Sequence, residues 1–111
     1  MADTFFVSIS VQQAAQMIDN AVEQGSITGE IIDAYGQGTP NGGNFALRVY
    51  EKHYWRAGNR LTLTVVIDDF GGKTRVHCVG GGGGEGLFRF DWGAAESFAG
   101  VAANALAPYR I

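Results

Sequence analysis

A single cysteine, Cys78, in a chain of 111 residues excludes an internal disulfide and any structural zinc site built on several thiolates. The compartment expected from this is a reducing one, the cytoplasm. Charge is sparse too. Only 17% of residues are charged, and a net charge of -3 supplies no global field to gather the chain onto nucleic acid or acidic lipid. Any basic site must be local. No apolar run approaches the ~20 residues that span a bilayer, and Met1-Ala2-Asp3-Thr4 places no basic residue ahead of an apolar stretch, so neither an anchor nor a leader is expected. There is no Gly-Lys-Ser/Thr phosphate loop and no Gly-x-Ser-x-Gly serine elbow. No motif fixes a reaction or a cofactor.

What is present fits one domain: 46% hydrophobic residues in this length build a single core. Its centre is a hairpin over residues 45–67, two strand-forming runs joined across Arg56-Ala57-Gly58-Asn59-Arg60. In the first run Phe45, Leu47 and Val49 alternate with Arg48, Tyr50 and Lys52, which assigns the former to the core and the latter to solvent. In the return run Leu61, Leu63, Val65 and Ile67 share the core parity.

Before the hairpin, Phe5, Val7 and Ile9 alternate in a first strand. Ser10 and Gln13 then form a Ser-x-x-Gln capping box, which starts a helix at Val11. Its stripe is Val11, Ala14, Ala15, Ile18 and Val22, and Gly25 ends it. A second strand over 27–35 alternates poorly, and the glycine-rich 36–44 reads as a loop. After the hairpin, residues 73–80 form a strand with Val76 and Cys78 inward and Arg75 and His77 outward. A five-glycine run, a short strand at 87–90 with Phe88 and Phe90 inward, and a helix from Trp92 to Leu106 follow. Asp91 caps that helix, Pro108 stops it, and Ala95, Phe98, Ala102 and Ala105 line it.

The order β-α-β-β-β-β-α gives an α+β fold: an antiparallel sheet of four to six strands with both helices on one face, similar in arrangement to TBP-like and helix-grip folds.

Residues Arg48-Val49-Tyr50-Glu51-Lys52, Tyr54, Trp55, Gly58-Asn59-Arg60, the glycines ahead of Leu87-Phe88, and Trp92-Gly93 with Glu96 and Phe98 carry a resemblance over the hairpin and the C-terminal third. There the chain resembles a family of small bacterial proteins known as a domain of unknown function. The resemblance implies a cytoplasmic bacterial protein and assigns no activity. The five-glycine run is longer than the Gly-Gly pair usual in that family.

Candidate sites follow from the parities. Arg48, Tyr50, Lys52, Tyr54, Arg75, His77 and Arg89 form an aromatic-basic sheet face, with Gly81, Gly82 and Gly83 beside it. Three uses compete for such a face: self-association as a homodimer, a small anionic ligand held by the glycine loop, and single-stranded nucleic acid, ranked in that order. A solvated face of cross-strand pairs shares the first rank. The glycine run precedes a strand instead of a helix, so a flexible hairpin loop explains it better than a phosphate cradle. His53 and His77 face opposite ways and do not meet over a metal with Glu30, Glu51 or Asp68. Cys78 reads as a small buried hydrophobe with its neighbour His77 on the other face. Asp68 and Asp69 read as turn residues. Thus a non-enzymatic binding module is expected, without catalytic residues or a metal.

Overall fold

The computed structural model describes residues 2–25, 29–54, 59–82 and 92–111. Five strands and two long helices alternate as β1 (Ala2–Val7), α1 (Val11–Gly25), β2 (Gly29–Gly38), β3 (Asn44–Tyr54), β4 (Asn59–Asp68), β5 (Thr74–Gly82) and α2 (Trp92–Leu106), and a 3-10 turn, Ala107–Tyr109, closes the chain. All strand pairs are antiparallel, in the order β1-β5-β4-β3-β2. The chain is an α+β sandwich with both helices packed on the same side of the sheet. Because β1 and β2 occupy opposite edges, α1 must cross the whole sheet between them, while β2 to β5 follow as a meander.

α1 forms where the capping box directs it. Gln13 N–H donates to Ser10 Oγ at 3.1 Å, and Ser10 N–H donates to Gln13 Oε1 at 3.0 Å, so two backbone donors that the helix leaves unpaired are satisfied. Its five stripe residues Val11, Ala14, Ala15, Ile18 and Val22 are all buried. Among the described side chains of α2, Phe98, Ala102 and Leu106 are buried and Ala105 is half-buried. Pro108 sits in the 3-10 turn that terminates this helix. The tail then returns to β1: Ser8 N–H donates to Tyr109 O, Ile111 N–H donates to Phe6 O, and the Arg110 guanidinium lies 4.6 Å from the centre of the Phe5 ring. One edge of the sheet is thereby partly paired; β2 forms the other.

Two strands are longer than the sequence suggests. β2 continues through Gly36 to Gly38 into the stretch expected to be a loop, and β5 takes in Gly81 and Gly82. The poor alternation of β2 has a physical cause. Its register against β3 shifts between Ile31 and Asp33, a bulge that leaves Ile32 unpaired and exposed. The expected strand at 87–90, with Phe88 and Phe90, and the Asp91 cap lie outside the described residues, as do the side chains of Ala95 and Tyr54.

The largest correction concerns β3. Phe45, Leu47 and Val49 face away from the helices, whereas Ala46 and Tyr50 are buried beneath them and Arg48 lies on the same side. The hairpin register explains this. The last pair is Tyr54 with Asn59, so four residues separate the strands, not the five from Arg56 to Arg60. An odd change in that number shifts pairing by one residue and exchanges the faces of one strand relative to the other. β4 holds its expected parity, since Leu61, Leu63, Val65 and Ile67 are all buried. Tyr50 therefore pairs with Leu63 and Arg48 with Val65, on the core side. His53 moves with them to the open side, opposite Arg60.

Candidate functional site

The aromatic-basic face is divided between the two sides of the sheet. Arg48 and Tyr50 meet Asp19 of α1: Arg48 Nε donates to Oδ1 at 3.1 Å and to Oδ2 at 3.2 Å, and the Tyr50 hydroxyl donates to Oδ1 at 2.6 Å. Arg48 Nη1 also donates to the Leu47 carbonyl. Tyrosine and arginine carry long apolar bodies with polar tips, so a single carboxylate on the helix lets both lie beneath it. Asp19 was missed because it reads as part of the polar side of α1. Its position, four residues after Ala15 and three before Val22, places it at the edge of the buried stripe.

Lys52 lies on the same side, half-buried opposite Leu61. Arg75 and His77 do face the open side. Arg75 is held by Asp68 through two bonds of 3.1 Å, and His77 Nδ1 lies 2.7 Å from Thr4 Oγ1. Gly81 and Gly82 are strand residues paired with Thr62 and Leu61. Gly83 and Arg89 lie outside the described residues. Among the described residues no group of three or more His, Cys, Asp or Glu is placed to hold a metal ion. No helix among them is long and apolar enough to cross a membrane.

Two buried groups resist ionisation. Burial, with a smaller contribution from Asp3 across the β1-β5 pair, pushes the Cys78 thiol up to about 12 from an ordinary 9.0. Burial first and the Asp19 carboxylate second raise Tyr50 well above its ordinary 10.0. Both groups stay protonated in the folded chain at pH values where the unfolded chain releases their protons. Their contribution to stability is therefore complete below about pH 9 and is lost as pH rises, for Cys78 through the window from about 9 to about 12 and for Tyr50 from about 10 upward. Urea midpoints should be flat between about pH 7 and 8.5 and fall above that. Tyr50→Phe and Cys78→Ala should each flatten the alkaline slope, and an unchanged slope in both would refute the assignment. The low thiolate content also makes Cys78 a poor nucleophile.

What the register places on the open side is different in character. Read across the strands in pairing order, one row is Phe6, Arg75, Asp68, Phe45 and Gln37. The next is Thr4, His77, Val66, Leu47 and Tyr35, and the third is Ala2, Val79, Thr64, Val49 and Asp33. A fourth brings Gly81, Thr62, Glu51 and Glu30 together. The centre is thus apolar, formed by Phe45, Leu47, Val49, Val66 and Val79. Tyr35 packs on Phe45, and Phe45 on Phe70, with ring centres 5.7 and 6.4 Å apart. Charged residues surround it largely as pairs, Arg75 with Asp68 at one end and Arg60 with Glu51 at the other, and Glu30 and Asp33 lie on β2. Phe6 and Val79 are each 40% exposed, whereas Phe45, Leu47, Val49 and Val66 are half-buried.

A cleft of about 540 Å³ lies on the other side, between α1 and the β2–β3 ends. Its floor is Ala34, Gly36 and Ala46, with Gln12 and Gln16 on the helix flank. Among the residues lining it, Arg48 is the one with a formal charge, and Asp19 neutralises it.

The fold and this face define a small α+β domain whose described helices both cover one side of the sheet. The chain belongs to a family of unknown function, DUF6054, whose model matches residues 1–110. No curated protein and no solved structure matches it.

Proposed function

We propose that the chain is a non-enzymatic binding module that docks a protein partner on its open sheet face. One observation carries this reading: an apolar patch at the centre of the face, bounded by charged residues, which is the anatomy of a protein interface and not of a solvated sheet. The anionic-ligand alternative draws little support from the arginines on the page, since Asp19 and Asp68 already hold Arg48 and Arg75. A cytoplasmic setting fits the reading, because the chain's one cysteine is buried and unpaired.

A photo-crosslinking residue at position 66, at the middle of the face, tests the proposal against the same residue at position 16, exposed on α1. In extracts of the source cells, position 66 should give a discrete adduct that position 16 does not. Absence of any adduct at 66, or equal labelling at both, would refute the docking role.

A further inference from the structure

We propose that the edge of β2 over residues 34–38 binds an extended peptide segment of a partner protein as an added strand, with small uncharged side chains at every second position. The site is the edge of the sheet and not its open face, so it stands apart from the docking role above.

The backbone decides what this edge offers. Thr39 N–H donates to Gly43 O at 2.7 Å across the β2–β3 turn, which makes these two a hydrogen-bonded pair. Opposed residues of an antiparallel ladder alternate between bonded and non-bonded pairs. The register then gives Gln37, Tyr35 and Asp33 to the bonds with β3, and leaves Gly38, Gly36 and Ala34 out of them. A bond on the far side of β3 agrees: Asp69 N–H donates to Asn44 O, so Asn44 turns to β4 and away from Gly38, its opposite on β2. The N–H and C=O groups of Ala34, Gly36 and Gly38 therefore point out of the sheet at intervals of ~6.8 Å, and no described residue pairs with them. Donors and acceptors in a line at that interval are complemented by another extended backbone.

The edge is guarded at one end alone. Glu30, Asp33 and the bulge at Ile32 blunt its N-terminal half, whereas residues 34–38 carry no charge, proline or bulge. The opposite edge shows what fills such a position in this sheet. There an extended segment of the chain's own tail lies against β1, through the antiparallel Val7–Arg110 bridge and the Ile111 N–H on Phe6 O.

The side chains follow from the two faces of the edge. Ala34, Gly36 and Gly38 face α1 and line the cleft of about 540 Å³ with Gln12 and Gln16. Every second side chain of an added strand points to that side. A charged one gains nothing there, because Asp19 already neutralises Arg48. The exposed amides of Gln12 and Gln16 match serine, threonine or asparagine. The intervening side chains lie beside Tyr35, which is 52% exposed, where β-branched and aromatic residues pair well across strands.

The test selects binders from a random decapeptide library displayed on phage, with the purified full chain as bait, and resynthesises the recovered peptides. Their sequences should alternate Ser, Thr or Asn with apolar residues. N-methylation at every second residue should lower affinity at least tenfold in one phase and leave it unchanged in the other. Ala34→Pro removes an outward donor without touching a bond to β3, and should weaken binding at least tenfold at an unchanged melting temperature. Amide exchange of the wild type decides the matter if the proline disturbs the fold. In the free chain the amides of Ala34, Gly36 and Gly38 should exchange fast and those of Tyr35 and Gln37 slowly; peptide should protect the first three. Recovery of no peptide, equal effects of the two methylation phases, or no protection of those amides overturns the proposal. Protection that rises with protein concentration in the absence of peptide overturns it as well and assigns the edge to a second copy of the chain.

Discussion

Replacing Asp19 with alanine should destabilise the chain by about 3 kcal/mol, the consequence of removing one carboxylate that serves two buried partners. Arg48 and Asp19 have side chains 18% and 15% exposed, so the ion pair is largely shielded from water. Without Asp19 the guanidinium stays under α1 with only the Leu47 carbonyl, and the Tyr50 hydroxyl, in a residue with no exposed surface, loses its acceptor. Breaking a fully buried pair costs ~3–5 kcal/mol, and partial exposure puts this one at the low end. Tyr50→Phe removes only the hydroxyl and should cost ~1.5–2 kcal/mol. The Asp19→Ala/Tyr50→Phe double variant should then cost measurably less than the sum of the singles, because both remove the same hydrogen bond.

Arg75→Ala provides the contrast. Its bidentate bond to Asp68 looks as strong on distance alone, yet half of the side chain is in water, and the expected cost is below ~1 kcal/mol. Urea denaturation of the four variants decides the matter. If Asp19→Ala lost no more than Arg75→Ala, the cluster beneath α1 would not be holding the helix to β3.

The same cluster shows where the sequence could be read and where it could not. Helix α1 was legible completely, because a 3.6-residue period and a capping box both depend on local spacing. β4 was legible for the same reason: one of its parities is uniformly aliphatic. β3 was ambiguous, since each parity carries large side chains, Phe45, Leu47 and Val49 on one and Arg48 and Tyr50 on the other. Alternation alone favours burying the former. The decision lies in the number of residues between β3 and β4 and in the Asp19 side chain 29 residues before Arg48, and neither is a property of the strand itself.

Consequently Arg48, Tyr50 and Lys52, which alternation assigns to the open face, lie on the core side of the sheet. The residues that replace them, Leu47 and Val49 on β3 and Val66 on β4, are unremarkable as sequence and become a patch only when the two strands align them. β2 failed differently. A bulge at Ile32 interrupts the period that a strand is recognised by, so neither its register nor its extension to Gly38 could be obtained from alternation.

Gly82→Ala should cost about 3 kcal/mol, more than a turn glycine usually does. Two constraints coincide at this position. Its φ is +94°, a backbone conformation that residues with a Cβ adopt at a cost of ~1–3 kcal/mol. A Cβ would also overlap the Arg60 carbonyl oxygen and reach within 3.0 Å of Leu61 Cα. Both obstacles are backbone, so no side chain can rotate away. The methyl can be accommodated only by parting β4 from β5 at the Leu61–Gly82 pair, beside a fully buried leucine. Gly72 is the control: its φ is +94° as well, but a Cβ there meets nothing within 4 Å. Gly72→Ala carries the conformational cost alone and should lose ~1 kcal/mol. Thermal melts of the two variants separate the contributions, and amide exchange should show faster opening at Leu61 and Leu63 in Gly82→Ala only. Equal melting temperatures would mean that the close approach of the Arg60 carbonyl does not constrain the strand, and that Gly82 is there for its φ.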